Sequence, residues 1–216
     1  MMTQTDRKPT VSVHWIVTCG VALVLAQPGW AQTRVVSIEE HWSLQLGNPD
    51  QDRSAPQVTM VLSPDADLDG VHFQFTINHV SVPQYTPGGM QLQVWDGEQL
   101  LDDNVADESG TFGNANETIQ WVQRLTLNDN TLTFKVLDGE SETWGDFGGE
   151  NLSVSVASSQ DNLNLYRPGV SLTESQVGYA ENRVEALTLT KLVWITDDGE
   201  VYELNAPIAV DTSLDP

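Results

Sequence analysis

Asp65, Asp67 and Asp69 stand at alternate positions and run into Gly70. Three hard oxygen donors closed by a residue that permits a tight turn are what a Ca²⁺ loop requires. The register is not that of an EF-hand, because the twelfth position counted from Asp65, where a bidentate Glu is needed, is Thr76. A calcium loop of another kind is one reading of this run, and an acidic turn ahead of a strand is the other. A second set of residues could bind an organic ligand. Trp144, Phe147, Tyr85 and Phe112 fall in Gly- or Pro-rich connections, where a large ring has no obvious buried face to fill. Such rings can stack on the apolar face of a sugar while Asp146, Asn114 and Asn116 hydrogen-bond its hydroxyls. Trp144, Phe147, Tyr85, Asp146 and Asn114 therefore make up the candidate ligand site, set against the alternative that the rings fold back over the ends of the core.

Catalytic chemistry finds less support. The chain has no His-Glu-x-x-His, Gly-x-Ser-x-Gly, phosphate-binding Gly-Lys loop or dinucleotide Gly pattern. His72 and His79 have opposite parity in one regular strand and point to opposite faces, so they cannot share a metal without a bulge; with His41 they read as isolated surface histidines. Acid residues such as Glu39, Glu40, Asp102 and Asp103 are plentiful, but two-carboxylate hydrolysis needs a spatial separation of about 5 to 10 Å that spacing alone does not provide. No residue is assigned a catalytic role.

The elements that must carry these side chains alternate with period two. Val36, Ile38, Trp42, Leu44 and Leu46 share one face of a first strand, and Val58, Met60 and Leu62 follow. Val71, Phe73, Phe75 and Ile77 alternate with polar residues, and Met90, Leu92 and Val94 lead to Asp96-Gly97, a hairpin dipeptide. Trp95 has the opposite parity. Ile119, Trp121, Leu125 and Leu127 run to Asn128-Asp129-Asn130, after which Leu132, Phe134 and Val136 run up to Asp138-Gly139, read as a further turn. Leu152, Val154 and Val156 form another strand. Val184 to Ile195 forms a long one that turns at Asp197-Asp198-Gly199 before Val201, Tyr202 and Leu204 return. Leu192 to Ile195 is apolar on both faces, the mark of a strand lying centrally between layers. Only Gln160 to Tyr166 offers a turn or two of helix. Repeated hairpins with at most one short helix predict an all-β fold, an antiparallel β-sandwich or jelly roll.

Residues 1 to 31 read as a secretory signal peptide: Arg7 and Lys8 supply a basic start, Val11 to Ala26 is mostly apolar, and Pro28-Gly29 precedes cleavage after Ala31. The apolar run falls short of a bilayer-spanning helix. The expected product is an exported protein, periplasmic or extracellular, with a single sandwich domain over residues 32–205 and a loose acidic tail over 206–216. The single cysteine, Cys19, goes with the leader. Disulfides, thiolate catalysis and Cys-ligated metals are then excluded. A formal charge of −22 repels nucleic acid, anionic lipid and anionic polysaccharide, and disfavours self-association. A monomer with no nucleic-acid partner and no membrane span is expected.

From Asn182 through Leu189, Lys191 and Trp194 to Asp198-Gly199, the chain resembles a late strand of concanavalin A-like lectin and glucanase sandwiches. With Val71 to Ile77, Met90 to Trp95 and the loop Trp144-Gly145-Asp146-Phe147-Gly148-Gly149, it also resembles uncharacterised exported bacterial β-sandwich proteins. The resemblance implies a jelly-roll sandwich and, more loosely, a carbohydrate partner. The glucanase branch places its acid and nucleophile on a Glu-x-Asp-x-x-Glu or Glu-x-Asp-x-Glu strand, and no such run occurs in this chain. The expectation is a non-catalytic, lectin-like module for a neutral polysaccharide, with Ca²⁺ as the one cofactor to test. A structural or adhesive envelope protein is the alternative, and a glycan hydrolase or lyase the lesser one.

Overall fold

Half-buried strands with one apolar face must find a second apolar layer, and here two antiparallel sheets supply each other's. The computed structural model describes residues 33–48, 56–79, 89–106, 114–205 and 207–210. In chain order the strands are β1 (Val35–Leu46), β2 (Gln57–Leu62), β3 (Val71–Ile77), β4 (Met90–Asp96), β5 (Gln99–Ala106), β6 (Thr118–Asn128), β7 (Thr131–Ser141), β8 (Gly145–Phe147) and β9 (Ser153–Ala157). Helix α1 (Pro168–Glu174) then precedes β10 (Gln176–Tyr179), β11 (Val184–Thr196), β12 (Val201–Leu204) and β13 (Ile208–Ala209). The longer sheet runs β12-β11-β1-β6-β7-β8, with β9 also on β7 and β13 also on β11; the shorter runs β10-β2-β3-β4-β5. The fold is an all-β antiparallel sandwich.

The two inner faces interlock through aromatic rings. Phe73 on β3 meets Phe134 on β7 with centroids 5.4 Å apart, and Phe75 meets Trp121 edge-on at 6.0 Å. Trp121 lies parallel to Trp42 at 6.3 Å. Both tryptophans are core residues, as their parity requires. Asp129 and Asn130 take positive φ, the backbone of a two-residue hairpin between β6 and β7, and Gly97 takes positive φ between β4 and β5.

Four expectations change. Asp138-Gly139 is not a turn: β7 continues through it to Ser141, because Gly139 lies under the ring of Phe147, where a Cβ would stand 2.2 Å from the nearest ring carbon. Gln160 to Tyr166 is not helical; the helix is Pro168–Glu174, with Pro168 in its first turn, where a missing N–H and a preset φ cost nothing. Leu192 to Ile195 is covered on both faces only in part: Leu192 and Val193 are buried, and Trp194 and Ile195 half-buried. His72 is buried rather than on the surface, its Nδ1 3.1 Å from the Gly70 carbonyl. Beyond these, part of the expected tail is ordered into the sheet: Ile208 and Ala209 pair with Leu189 and Thr188, and Val210 is buried. The expected leader lies outside the described residues. Among the described residues no helix is long and apolar enough to cross a membrane.

Candidate functional site

The outward face of the longer sheet is a polar surface built strand by strand. Ser43, Gln120, Glu140 and Asp146 are consecutive register partners across β1, β6, β7 and β8, and His41, Val122 and Asp138 form the adjacent row. Two bulges flank these rows. Thr190 is the extra residue of β11 opposite His41 and Trp42, and Leu137 is the extra residue of β7 opposite Val122 and Gln123. Bulges bend a strand and re-aim its side chains, and sheets use them beside binding sites. Here they border a cleft of about 410 Å³ lined by His41, Ser43, Gln120, Asp138, Glu140 and Asp146, with Thr190 at its side. The Thr190 hydroxyl donates to the His41 carbonyl at 2.9 Å and so holds the first bulge in place.

A second cleft, of about 550 Å³, opens on the other side of Asp146, lined by Asn104, Val105, Phe147, Gly148, Glu150 and Asn151 among others. It lies along the seam where β5 of the shorter sheet approaches β9. The Asn104 amide closes that seam by donating to the carbonyls of Asn151 and Ser153 at 3.1 and 3.0 Å. Asp146 is the residue common to both clefts. Alternation explains its position: on β8 it is flanked by Phe147, which turns inward over Gly139, so Asp146 turns outward.

The hairpin that carries Asp146 is fixed from below by a buried carboxylate that the sequence did not single out. Glu117, fully buried ahead of β6, accepts from the Ser141 hydroxyl at 2.7 Å, the Thr143 hydroxyl at 2.6 Å and the Thr143 amide at 2.9 Å. Ser141 Oγ in turn accepts from the Trp144 amide at 3.2 Å. Gly145, Gly148 and Gly149 all take positive φ. A side chain at Gly148 would also meet the Val136 carbonyl at 3.0 Å, so the Gly-rich loop is a folding requirement of this hairpin.

Of the residues expected to bind a ligand, the structure gathers three on this hairpin and uses them differently. Asp146 is exposed between the clefts. Phe147 is 8% exposed and serves as core packing, with only its rim on the larger cleft. Trp144 is half-buried, edge-on to Phe147 at 6.3 Å. Asn114 is exposed, and its carbonyl accepts from the buried guanidinium of Arg183 at 3.0 Å. Tyr85 and Phe112 lie outside the described residues.

The aspartate loop spends polar groups on itself and on Gln160. Asp65 accepts from the Gln160 amide at 2.8 Å, Asp67 accepts from the Asp69 N–H at 3.2 Å, and the Ser63 hydroxyl donates to the Asp67 carbonyl at 2.6 Å. Partial burial, followed by the nearby charge of Asp67, pushes the Asp65 carboxyl above its ordinary value. Among the described residues no three His, Cys, Asp or Glu side chains come together as a metal-binding group, and Asp65, Asp67 and Asp69 are not gathered into one.

Burial, with help from the charge of Lys191, lowers the pKa of His41, and the opposing pull of Glu39, 3.6 Å away, is smaller. At neutral pH His41 is therefore neutral beside the cleft, with its Nε2 buried. Fold and site together define an antiparallel sandwich with a polar, bulge-bordered groove on its longer sheet. No family model matches this chain, and no curated protein matches it.

Proposed function

We propose that this chain is a non-catalytic, exported carbohydrate-binding sandwich that holds a neutral glycan in the clefts on either side of Asp146. The observation that carries this reading is the convergence on one outward side chain of two open clefts lined mainly by amides, hydroxyls and carboxylates. Sugar hydroxyls both donate and accept; Ser43, Gln120 and Asn151 offer both kinds of partner, while Thr190 and Asn104, whose donors are used within the protein, offer acceptors. The concanavalin A-like resemblance of β11 supports the same class of partner at the level of the fold alone. Stacking on Trp144 and Phe147 is not part of the proposal, because their ring faces serve each other and the core.

Binding fits the cleft better than hydrolysis does. Asp138, Glu140 and Asp146 are all exposed, whereas a carboxyl that acts as general acid near neutral pH needs a desolvated environment. The alternative of an envelope protein that contacts another protein draws on β5, an edge strand on which Leu100, Leu101 and Val105 are each 40–42% exposed. Native gels containing a panel of neutral polysaccharides separate the two, with calcium in one set and chelator in the other. Retardation in at least one polymer, unchanged by chelator, is the expected result. Uniform mobility across the panel would sink the glycan reading in favour of the protein-contact one.

A further inference from the structure

Glu40 is a fully buried titratable group that the proposed site does not use. It is fully buried on the inner face of β1, and its two oxygens accept four side-chain hydrogen bonds. One oxygen takes the Trp42 indole N–H at 2.9 Å and the Gln123 amide at 2.8 Å. The other takes the Tyr166 hydroxyl at 2.7 Å and the Ser171 hydroxyl at 2.5 Å. Two of these donors belong to the sheet and two to the segment of residues 158–175. Other points also attach that segment to the sandwich: the Ser158 amide on the Asn130 carbonyl, the Leu163 amide on the Val35 carbonyl, Asn164 on Val35 and Thr33, Gln160 on Asp65, Ser175 on Val61, and the buried side chains of Leu163 and Tyr166.

Among the described residues no ion pair offsets the charge. Around Glu40, β6 presents the neutral Gln123, β11 presents Leu192 as its register partner, and β2 turns Val58, Met60 and Leu62 inward. Among its hydrogen-bond partners in the described residues, Tyr166 is the one titratable side chain. Arg167 in the same segment turns its guanidinium to the Asn164 and Tyr166 carbonyls, and Glu174 is exposed. Glu39 and His41 lie on the opposite face of β1, where Glu39 pairs with Arg124. An ionised carboxylate buried without a cation is costly even when hydrogen-bonded, while a protonated one is not. The hydroxyls of Tyr166 and Ser171 can each turn from donor to acceptor, so the same cage accommodates a neutral carboxyl that donates one proton to either of them.

We propose that Glu40 is a proton-operated latch that fastens the 158–175 segment to the sandwich in mildly acidic surroundings and loosens it as the pH rises. Burial moves the Glu40 carboxyl above its ordinary 4.5, and the four donors oppose that shift without overcoming it. The Tyr166 phenol is itself held well above its ordinary 10.0 by burial and by the Glu40 charge, so it remains protonated throughout. The sign follows from linkage. A carboxyl raised in the folded state contributes stability that is fully present below its unfolded value and is lost as the pH rises through its folded value. Within that window the folding equilibrium constant falls up to about tenfold per pH unit, the limit for one proton.

Urea unfolding of the full chain between pH 4.5 and 8, beside the Glu40→Gln variant, tests this. The amide mimics the neutral cage, accepting from Trp42 and Gln123 with its oxygen and donating to Tyr166 and Ser171 with its nitrogen. Wild type should lose stability relative to E40Q as the pH rises, and hydrogen-exchange protection at Leu163, Tyr166 and Ser175, corrected for the base-catalysed intrinsic rate, should fall in wild type alone. The difference between the two proteins cancels the repulsion among the many surface carboxylates, which both share. If E40Q does not fold, Tyr166→Phe serves instead: with one donor to the carboxylate gone, the decline should extend to higher pH than in wild type. Parallel pH curves for wild type and variant, or a wild type that gains relative stability with rising pH, would overturn the latch.

Discussion

Glu40 and Glu117 are both fully buried carboxylates with no ion-pair partner among the described residues, yet they hold the molecule at different scales. Glu117 gathers a single turn, residues 141 to 143, and through it the hairpin that presents Asp146. Glu40 gathers partners 83, 126 and 131 residues away and so ties a whole segment to the core. Local satisfaction by a backbone N–H and adjacent hydroxyls gives a rigid hairpin whose loss would be felt mainly at the site. Satisfaction from distant segments makes folding itself depend on one carboxyl group.

The difference predicts a graded series of effects. Glu40→Ala leaves four buried donors without an acceptor and opens a cavity, and should cost about 3–5 kcal/mol, read as a large drop in the denaturant midpoint. A cost below about 1 kcal/mol would show the cage to be dispensable. Gly139→Ala drives a methyl into the Phe147 ring and should cost about 1–3 kcal/mol as β8 is forced off β7. Glu117→Ala frees groups that water can partly reach at half-buried Thr143, so a smaller cost, about 1–2 kcal/mol, is expected. Its distinguishing mark should be faster hydrogen exchange confined to residues 141–147, and a global acceleration would erase the contrast with Glu40. Millimolar calcium should leave the midpoint unchanged, since the carboxylates of the Asp65–Asp69 loop are not gathered on one point. A rise in midpoint with calcium would restore that loop as a metal site.

Period-two alternation located β1, β2, β3, β4, β6, β7, β9 and β11, because a sandwich strand buries every second side chain and nothing else in this chain has that spacing. It missed β5, an edge strand exposed nearly throughout, whose Leu100-Leu101-Asp102-Asp103 run has no alternation to read. It also misjudged Asp138-Gly139, since a glycine chosen to make room for a ring across the sheet looks the same in sequence as one chosen for a turn. At the site, Asp146 was legible from its loop, and so was the neighbourhood of Trp144. What could not be read was the burial of Phe147, which depends on Gly139, and the part played by Ser43, Gln120 and His41, which reach Asp146 only through strand register. Glu40 carried one signal, its even position between Ile38 and Trp42 on the apolar face of β1, and Glu117 carried none; what marks both is donors that the fold brings from elsewhere.

The most direct test of the glycan reading is the affinity of Asp146→Ala for whichever neutral polysaccharide retards the wild type, measured with the unfolding midpoint of the same protein. Asp146 is exposed and makes no contact that the core needs, so its stability should stay within about 0.5 kcal/mol of wild type. Affinity should fall about tenfold or more, the equivalent of about 1.4 kcal/mol. Retention equal to that of wild type, at unchanged stability, would contradict the assignment of the site to the clefts around Asp146.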